Sequence, residues 1–312
     1  MDADLRVNAL YLSSRLRSRL ADAARYPVTT IIAPTGYGKT TAAQYLQRRI
    51  AAEAPDAYLF RQFLSGGGRQ EFWAGLCRAL HTAPQLSAQL LALGYPDSPH
   101  TRQQLLELVQ DALPAQSPVW FILDDVHLLQ GGEAAELVSF LAERLPLQVH
   151  LLLLSRNQIF SEAQKLRLGS RLLELSAADL RLTQEELAQY AGLCGLPLPE
   201  RESQALLSVS EGWIAMVYLI FRAYAQTGTW RFDAKGMDAL MEQVMFEPLD
   251  ERRRFFLLDI CMAEAFTAEQ AAFVWREPDA DALLLAALLT YGFERPVSRR
   301  LLEKTGKKQK RA

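Results

Sequence analysis

Only three cysteines occur in 312 residues, Cys77, Cys194 and Cys261, and they lie far apart with no C-x-x-C pair and no His at ligand spacing. That pattern excludes a disulfide framework or a zinc knuckle, and leaves buried thiols in a reducing compartment as the expectation. Long apolar runs are also missing: nothing approaches the roughly 18 uninterrupted apolar residues of a membrane span. The opening Met1-Asp2-Ala3-Asp4-Leu5-Arg6 lacks the basic-then-apolar order of a signal peptide. A cytoplasmic location with no membrane partner is therefore expected. A charge excess is absent too, with 34 Lys and Arg against 36 Asp and Glu and a net charge of -2, so no electrostatic footprint for nucleic acid is present and direct DNA binding is not expected. His81 and His100 stand alone, without partners at metal spacing, and read as surface histidines. What remains is a chain that is 50% hydrophobic and longer than one core usually serves, which points to a globular protein of two or three domains.

The most informative stretch is Thr29-Thr30-Ile31-Ile32 running into Ala33-Pro34-Thr35-Gly36-Tyr37-Gly38-Lys39-Thr40-Thr41, an apolar strand, a glycine turn and the start of a helix. Gly36 and Gly38 let the backbone turn its N–H groups inward around a phosphate with no Cβ in the way. Lys39 offers a point charge to the β- and γ-phosphates, with a share in catalysis, and the Thr40 hydroxyl can ligate Mg2+. The helix that starts here adds the positive end of its dipole. The P-loop pattern G-x-x-x-x-G-K-[ST] is met except at its first position, where Ala33 stands for Gly; this is harmless if φ there is negative. A strand-to-helix turn that binds nothing is the competing reading.

A second signal lies at Val119-Trp120-Phe121-Ile122-Leu123-Asp124-Asp125, a short continuous apolar run suited to a parallel strand covered on both faces, ending in two acids. Beside a phosphate cradle, one carboxylate can hold Mg2+ and its neighbour can orient or deprotonate an attacking water. The same residues could simply end a strand and cap the next helix. A third strand, Val149 to Leu154, leads to Ser155-Arg156-Asn157. Arg156 could read a γ-phosphate through its planar guanidinium, or be an ordinary surface arginine.

Around these motifs the periodicity predicts a lead-in helix within 8–24, helices at Lys39 to Ala52, after Gly66-Gly67-Gly68, at Leu86 to Leu93, at Arg102 to Leu113 and at Glu133 to Arg144, and strands at 57–64 and Arg171 to Leu175. The triple Gly lacks a following Lys-Ser/Thr and reads as a flexible connection. From the capping box at Thr183-Gln184-Glu185-Glu186 onward the pattern is helical, with helices at 184–194, 200–209 and 212–226. Trp213 is either a core residue or a border of the nucleotide site. The last nine residues hold five Lys or Arg and read as a frayed basic tail.

Taken together, Ala33 to Thr41, Leu123-Asp124-Asp125-Val126-His127-Leu128, Leu154-Ser155-Arg156 and Glu211-Gly212-Trp213 resemble the signal-transduction ATPases with numerous domains, the STAND class, and within it the maltose-regulator type of large LuxR-family transcription regulators. The resemblance spans about Leu10 to Phe273. It implies an α/β P-loop NTPase with a parallel sheet flanked by helices, followed by an all-α lid bundle and the start of a winged-helix domain. The expected division is 1–27 lead-in helix, 28–180 NTPase core, 181–235 lid, 236–303 winged-helix-like segment and 304–312 tail.

The resemblance also implies ATP or ADP with Mg2+ as cofactors. Lys39 and Thr40 would bind phosphate and metal, Asp124 would assist the metal, Asp125 would be the catalytic carboxylate and Arg156 the phosphate sensor. Where many relatives have Pro in the lid, this chain reads Gly212-Trp213-Ile214. Family members continue into a helical-repeat sensor and a C-terminal helix-turn-helix, and no helix-turn-helix is found up to Ala312. The expectation is a slowly hydrolysing ATP switch that associates with itself or a protein partner in the ATP state. The alternatives are a stand-alone AAA/STAND-type ATPase driving a partner, and a non-hydrolysing nucleotide-dependent interaction module.

Overall fold

A computed structural model describes residues 9–64, 68–112, 117–129, 132–230 and 251–260. The chain divides into two compact units. The core unit comprises Leu12–Ala33 and Tyr37–Leu180; the helical unit comprises Met1–Tyr11, Pro34–Gly36 and Arg181–Ala312.

The core unit carries a five-stranded parallel sheet, β1 (Val28–Ile32), β2 (Tyr58–Phe63), β3 (Val119–Asp124), β4 (Val149–Ser155) and β5 (Leu172–Ser176), in the order β2-β3-β4-β1-β5. Every residue of β3 and β4 is buried, as expected of central parallel strands that are apolar but for Asp124, His150 and Ser155. Removing each such Leu, Ile, Val or Phe from water contributes about 1.5–3 kcal/mol. The flanking helices are α1 (Ser14–Asp22), α2 (Lys39–Glu53), α3 (Arg69–Ala79), α4 (Pro84–Leu93), α5 (Pro99–Ala112), α6 (Glu133–Arg144), α7 (Glu162–Leu168) and the single turn α8 (Ala177–Leu180). Leu137 and Val138 of α6, Phe72 and Leu76 of α3 and Leu105 of α5 join the strands in one apolar cluster.

Local chemistry explains where the elements depart from the periodicity. The lead-in helix starts only at Ser14 because the Ser13 hydroxyl accepts from Leu16 N at 3.2 Å and caps it there. Helix α5 begins earlier than its apolar stripe, at Pro99, a residue preorganised for the first turn of a helix. The fifth strand begins at Leu172, since Arg171 closes a 3-10 turn and its guanidinium donates to the Leu145 carbonyl at 2.7 Å. Helix α7 was not expected at all, although Ser161 and Gln164 form a complete capping box.

In the helical unit, α9 (Gln184–Leu193), α10 (Glu200–Ser210) and α11 (Ile214–Thr227) pack around Leu187, Tyr190, Leu206, Val217 and Phe221. The capping box at Thr183 and Glu186 is formed. A further helix, α12 (Glu251–Ile260), falls within the segment expected to be winged-helix-like. The rest of that segment, the basic tail, Cys261, and Gly66 and Gly67 of the triple glycine lie outside the described residues. Among the described residues, no helix is long and apolar enough to cross a membrane. Cys77 and Cys194 are buried free thiols, and burial pushes Cys77 up to about 11.

Candidate nucleotide site

Parallel pairing puts Ile32 level with Ser155 and Phe63 level with Asp124, so the carboxyl ends of β1, β4, β2 and β3 finish along one rim of the sheet. Parallel α/β sheets bind ligands at that rim. Ala33 continues the ladder, its N–H donating to Ser155 O at 3.2 Å. The residues with positive φ outside glycine are Asp125 and Glu211 among those described, so Ala33 occupies the first position of the loop motif without left-handed strain. Gly36 (φ 79) and Gly38 (φ 84) do adopt the left-handed conformation that glycine favours. Gly38 caps α2 with no side-chain hydrogen bond, which leaves amides of the first helical turn available to an anion.

Lys39 opens α2 and is buried. Its Nζ donates to the Ala33 carbonyl at 2.7 Å, folding the side chain back along the loop. Burial, and then the nearby charge of Arg156, lower its pKa to about 8, against opposing pulls from Asp125 and Asp124. A cation held this way gains from an arriving anion. Thr40 Oγ1 donates to Asp124 Oδ2 at 3.3 Å, so the two residues expected at the metal lie together. Asp124 is 2% exposed, and its Oδ1 accepts from the Asp125 amide at 3.1 Å.

Asp125 turns the chain out of β3 with φ 61, a conformation costly for most side chains and tolerated by Asp. Its carboxylate is partly exposed, and Oδ1 lies 3.7 Å from His127 Nδ1. His127 is buried, and its pKa is lowered to about 4 by burial first and then by Arg156 and Lys39, with Asp124 opposing. It is thus neutral at pH 7, and the pair is not an ion pair there. Arg156 follows β4, close enough to Lys39 and His127 to depress both.

Glycines at the turn of β1 into α2, a buried Lys and a Thr bonded to a buried strand-end Asp fit a magnesium nucleotide. The fold is that of the P-loop NTPases. Residues 24–155 of this P-loop chain match the AAA domain family. The chain is 27% identical over 269 residues to the HTH-type transcriptional regulator MalT of Serratia proteamaculans, covering 81% of this chain and 29% of that protein. It is 26% identical over 267 residues to MalT of Klebsiella pneumoniae, with 81% and 29% covered. The chain therefore spans about three-tenths of the length of these curated relatives.

Among solved structures, the P-loop fold is shared with a Walker-type ATPase of Pyrococcus abyssi (TM-score 0.55, 14% identity, 95% of this chain and 97% of that one). It is shared also with a signal transduction ATPase with numerous domains that carries a tetratricopeptide repeat sensor, from Pyrococcus horikoshii (TM-score 0.52, 16% identity, 95% and 43%).

Two residues at the rim were not anticipated. Arg61 of β2 pairs with Asp124, its Nη2 lying 3.0 Å from Oδ2. In the sequence it is one polar residue of a half-buried strand and carries no motif. His127 could have been noticed as a His three residues after the strand-end acid, but its burial is not a local property.

The helical unit includes the loop residues Pro34, Thr35 and Gly36. Within it, Trp213 Nε1 donates to Thr35 O at 3.1 Å and Ala215 N to Gly36 O at 3.2 Å. A Cβ on Gly36 would meet Trp213 Nε1 at 2.7 Å and Ala215 Cβ at 2.8 Å, so Gly is required there for space as well as for φ. Trp213 packs against the helical cluster, in line with the core reading, and its indole also bonds the loop.

Proposed function

We propose that this protein is an ATP-operated switch module of the kind used by MalT-type regulators, binding ATP or ADP with Mg2+ at Ala33–Thr41. The supporting observation is the bond between Thr40 and the strand-end carboxylate of Asp124, directly beside buried Lys39. In this reading the loop amides and Lys39 bind the β- and γ-phosphates, and Thr40 and Asp124 hold Mg2+, which when bound offsets phosphate charge and fixes the orientation of the oxygens. Asp125 orients the attacking water and takes its proton, and Arg156 pairs with the γ-phosphate.

Residues 181–235 act as the lid that responds to which nucleotide is bound, and hydrolysis is slow. Only contacts that distinguish ATP from ADP can shift such an equilibrium, and Lys39, Thr40 and Arg156 supply them. The ATP state associates with itself or with a protein partner, and a role in transcription regulation is proposed by likeness to the HTH-type regulators. Isothermal calorimetry tests the reading. ATP is expected to bind wild-type protein, and Lys39→Ala to weaken binding at least a hundredfold. Equal affinity in the two would remove the loop assignment.

A further inference from the structure

We propose that Arg61 is a resident cation on Asp124 that competes with Mg2+ and withdraws when the metal nucleotide binds. This rests on the nucleotide reading above and concerns a residue that reading leaves unused. Arg61 sits on β2 with its side chain 14% exposed, opposite a carboxylate 3% exposed, and its Nη2 lies 3.0 Å from Asp124 Oδ2. The same oxygen accepts from Thr40 Oγ1 at 3.3 Å, while Oδ1 accepts from the Asp125 amide. A carboxylate oxygen has two lone-pair sites, and both on Oδ2 are taken.

Mg2+ keeps several of its waters, and a water on the metal needs an acceptor when it meets Asp124. Thr40 can keep donating to Asp124 while its own lone pairs face the metal. One acceptor site on Oδ1 stays open to such a water, but a guanidinium and a dication beside one buried carboxylate repel each other, so Arg61, and not the uncharged Thr40, is the donor that yields.

The surroundings give Arg61 somewhere to go. Its Nη1 lies 3.4 Å from Gln47 Oε1, and its guanidinium carbon is 4.5 Å from the ring centre of Phe63. Phe63 is 63% exposed at the end of the same strand, an unusual position for a large apolar ring. Arg61 and Phe63 lie two residues apart and so share a face of the strand. Stacking on Phe63 leaves the cation partnered after Asp124 is released. Arg61 would thus stand in for the metal in the nucleotide-free protein, so that Asp124 is never a buried, unpaired carboxylate.

The test is a Mg2+ titration of the binding of a fluorescent ATP analogue by the full chain, with an EDTA baseline. Arg61→Gln is expected to lower the Mg2+ concentration at half-effect about fivefold or more, and Arg61→Lys to restore most of the wild-type requirement. The ring already touches the guanidinium, and the proposal has that contact strengthen once Asp124 no longer holds the cation, so Phe63→Leu, at an exposed site that does not threaten folding, is expected to raise the half-effect point about threefold. A residue that only stabilised the fold would move the melting temperature and leave the half-effect point in place. An unchanged or raised half-effect point in Arg61→Gln overturns the proposal. If that variant does not fold, an unchanged point in Phe63→Leu overturns it instead. Absence of any analogue binding by wild-type protein, with or without Mg2+, overturns the nucleotide reading itself. Binding with an unmoved Mg2+ response removes only Arg61.

Discussion

At the scale of single residues, the rim of the sheet separates charges by environment. His127 is neutral because it is buried and faces the positive charges of Arg156 and Lys39, which Asp124 only partly offsets. Its pKa falls from 6.5 to about 4 on folding. Below pH 6.5 the unfolded chain takes up a proton that the folded chain refuses, so this group's stability contribution is complete above 6.5 and is lost as pH falls toward 4. Between pH 7 and pH 5 the nucleotide-free protein should lose about 2 kcal/mol through this residue. Urea unfolding at the two pH values checks it, since His127→Gln should show a smaller loss by about that amount. Asp125→Asn isolates a different property. Asn tolerates the left-handed conformation as Asp does, so the variant should fold and bind ATP while phosphate release falls at least a hundredfold. Normal release would leave Asp125 with a backbone role alone.

At the scale of elements, the Glu211-Gly212-Trp213 stretch shows what a motif can mean structurally. Glu211 (φ 49) and Gly212 (φ 75) are both left-handed and turn the chain from α10 into α11. Gly212 O accepts from Leu182 N at 2.9 Å, and a Cβ on Gly212 would run into the Leu182 carbonyl oxygen. Gly212→Ala combines the left-handed penalty with a backbone clash and should cost the helical unit about 2 kcal/mol or more. Faster hydrogen exchange in α9 to α11 would register it, and unchanged exchange would mean the turn relaxes freely. The sequence places a helix over 212–226, with Gly212 and Trp213 as its first residues, whereas both precede α11. It did not show that the first residue of the helix is Ile214, because the turn's bond to Leu182 depends on packing.

At the scale of the molecule, a switch must behave differently with its two nucleotides. Hydrogen exchange over 181–230 should differ measurably between saturating ATP with Mg2+ and saturating ADP in the full chain. Identical profiles would leave a binding module without a switch.

Much of this protein was legible along the chain. The strand-loop-helix at Thr29 to Thr41, the apolar strand ending at Asp124 and the capping box at Thr183 are local patterns, and local patterns determine elements, their order and the fold class. The strand order β2-β3-β4-β1-β5 and the pairing of Arg61 with Asp124 were not readable, because they join residues 63 positions apart through the register of neighbouring strands. The burial that neutralises His127 comes from the same packing. Sequence by itself determined which chemical groups this protein carries and on which elements. Only the tertiary structure decided which of them meet at the rim and in what charge state, because desolvation and hydrogen-bond competition depend on neighbours that no local period encodes.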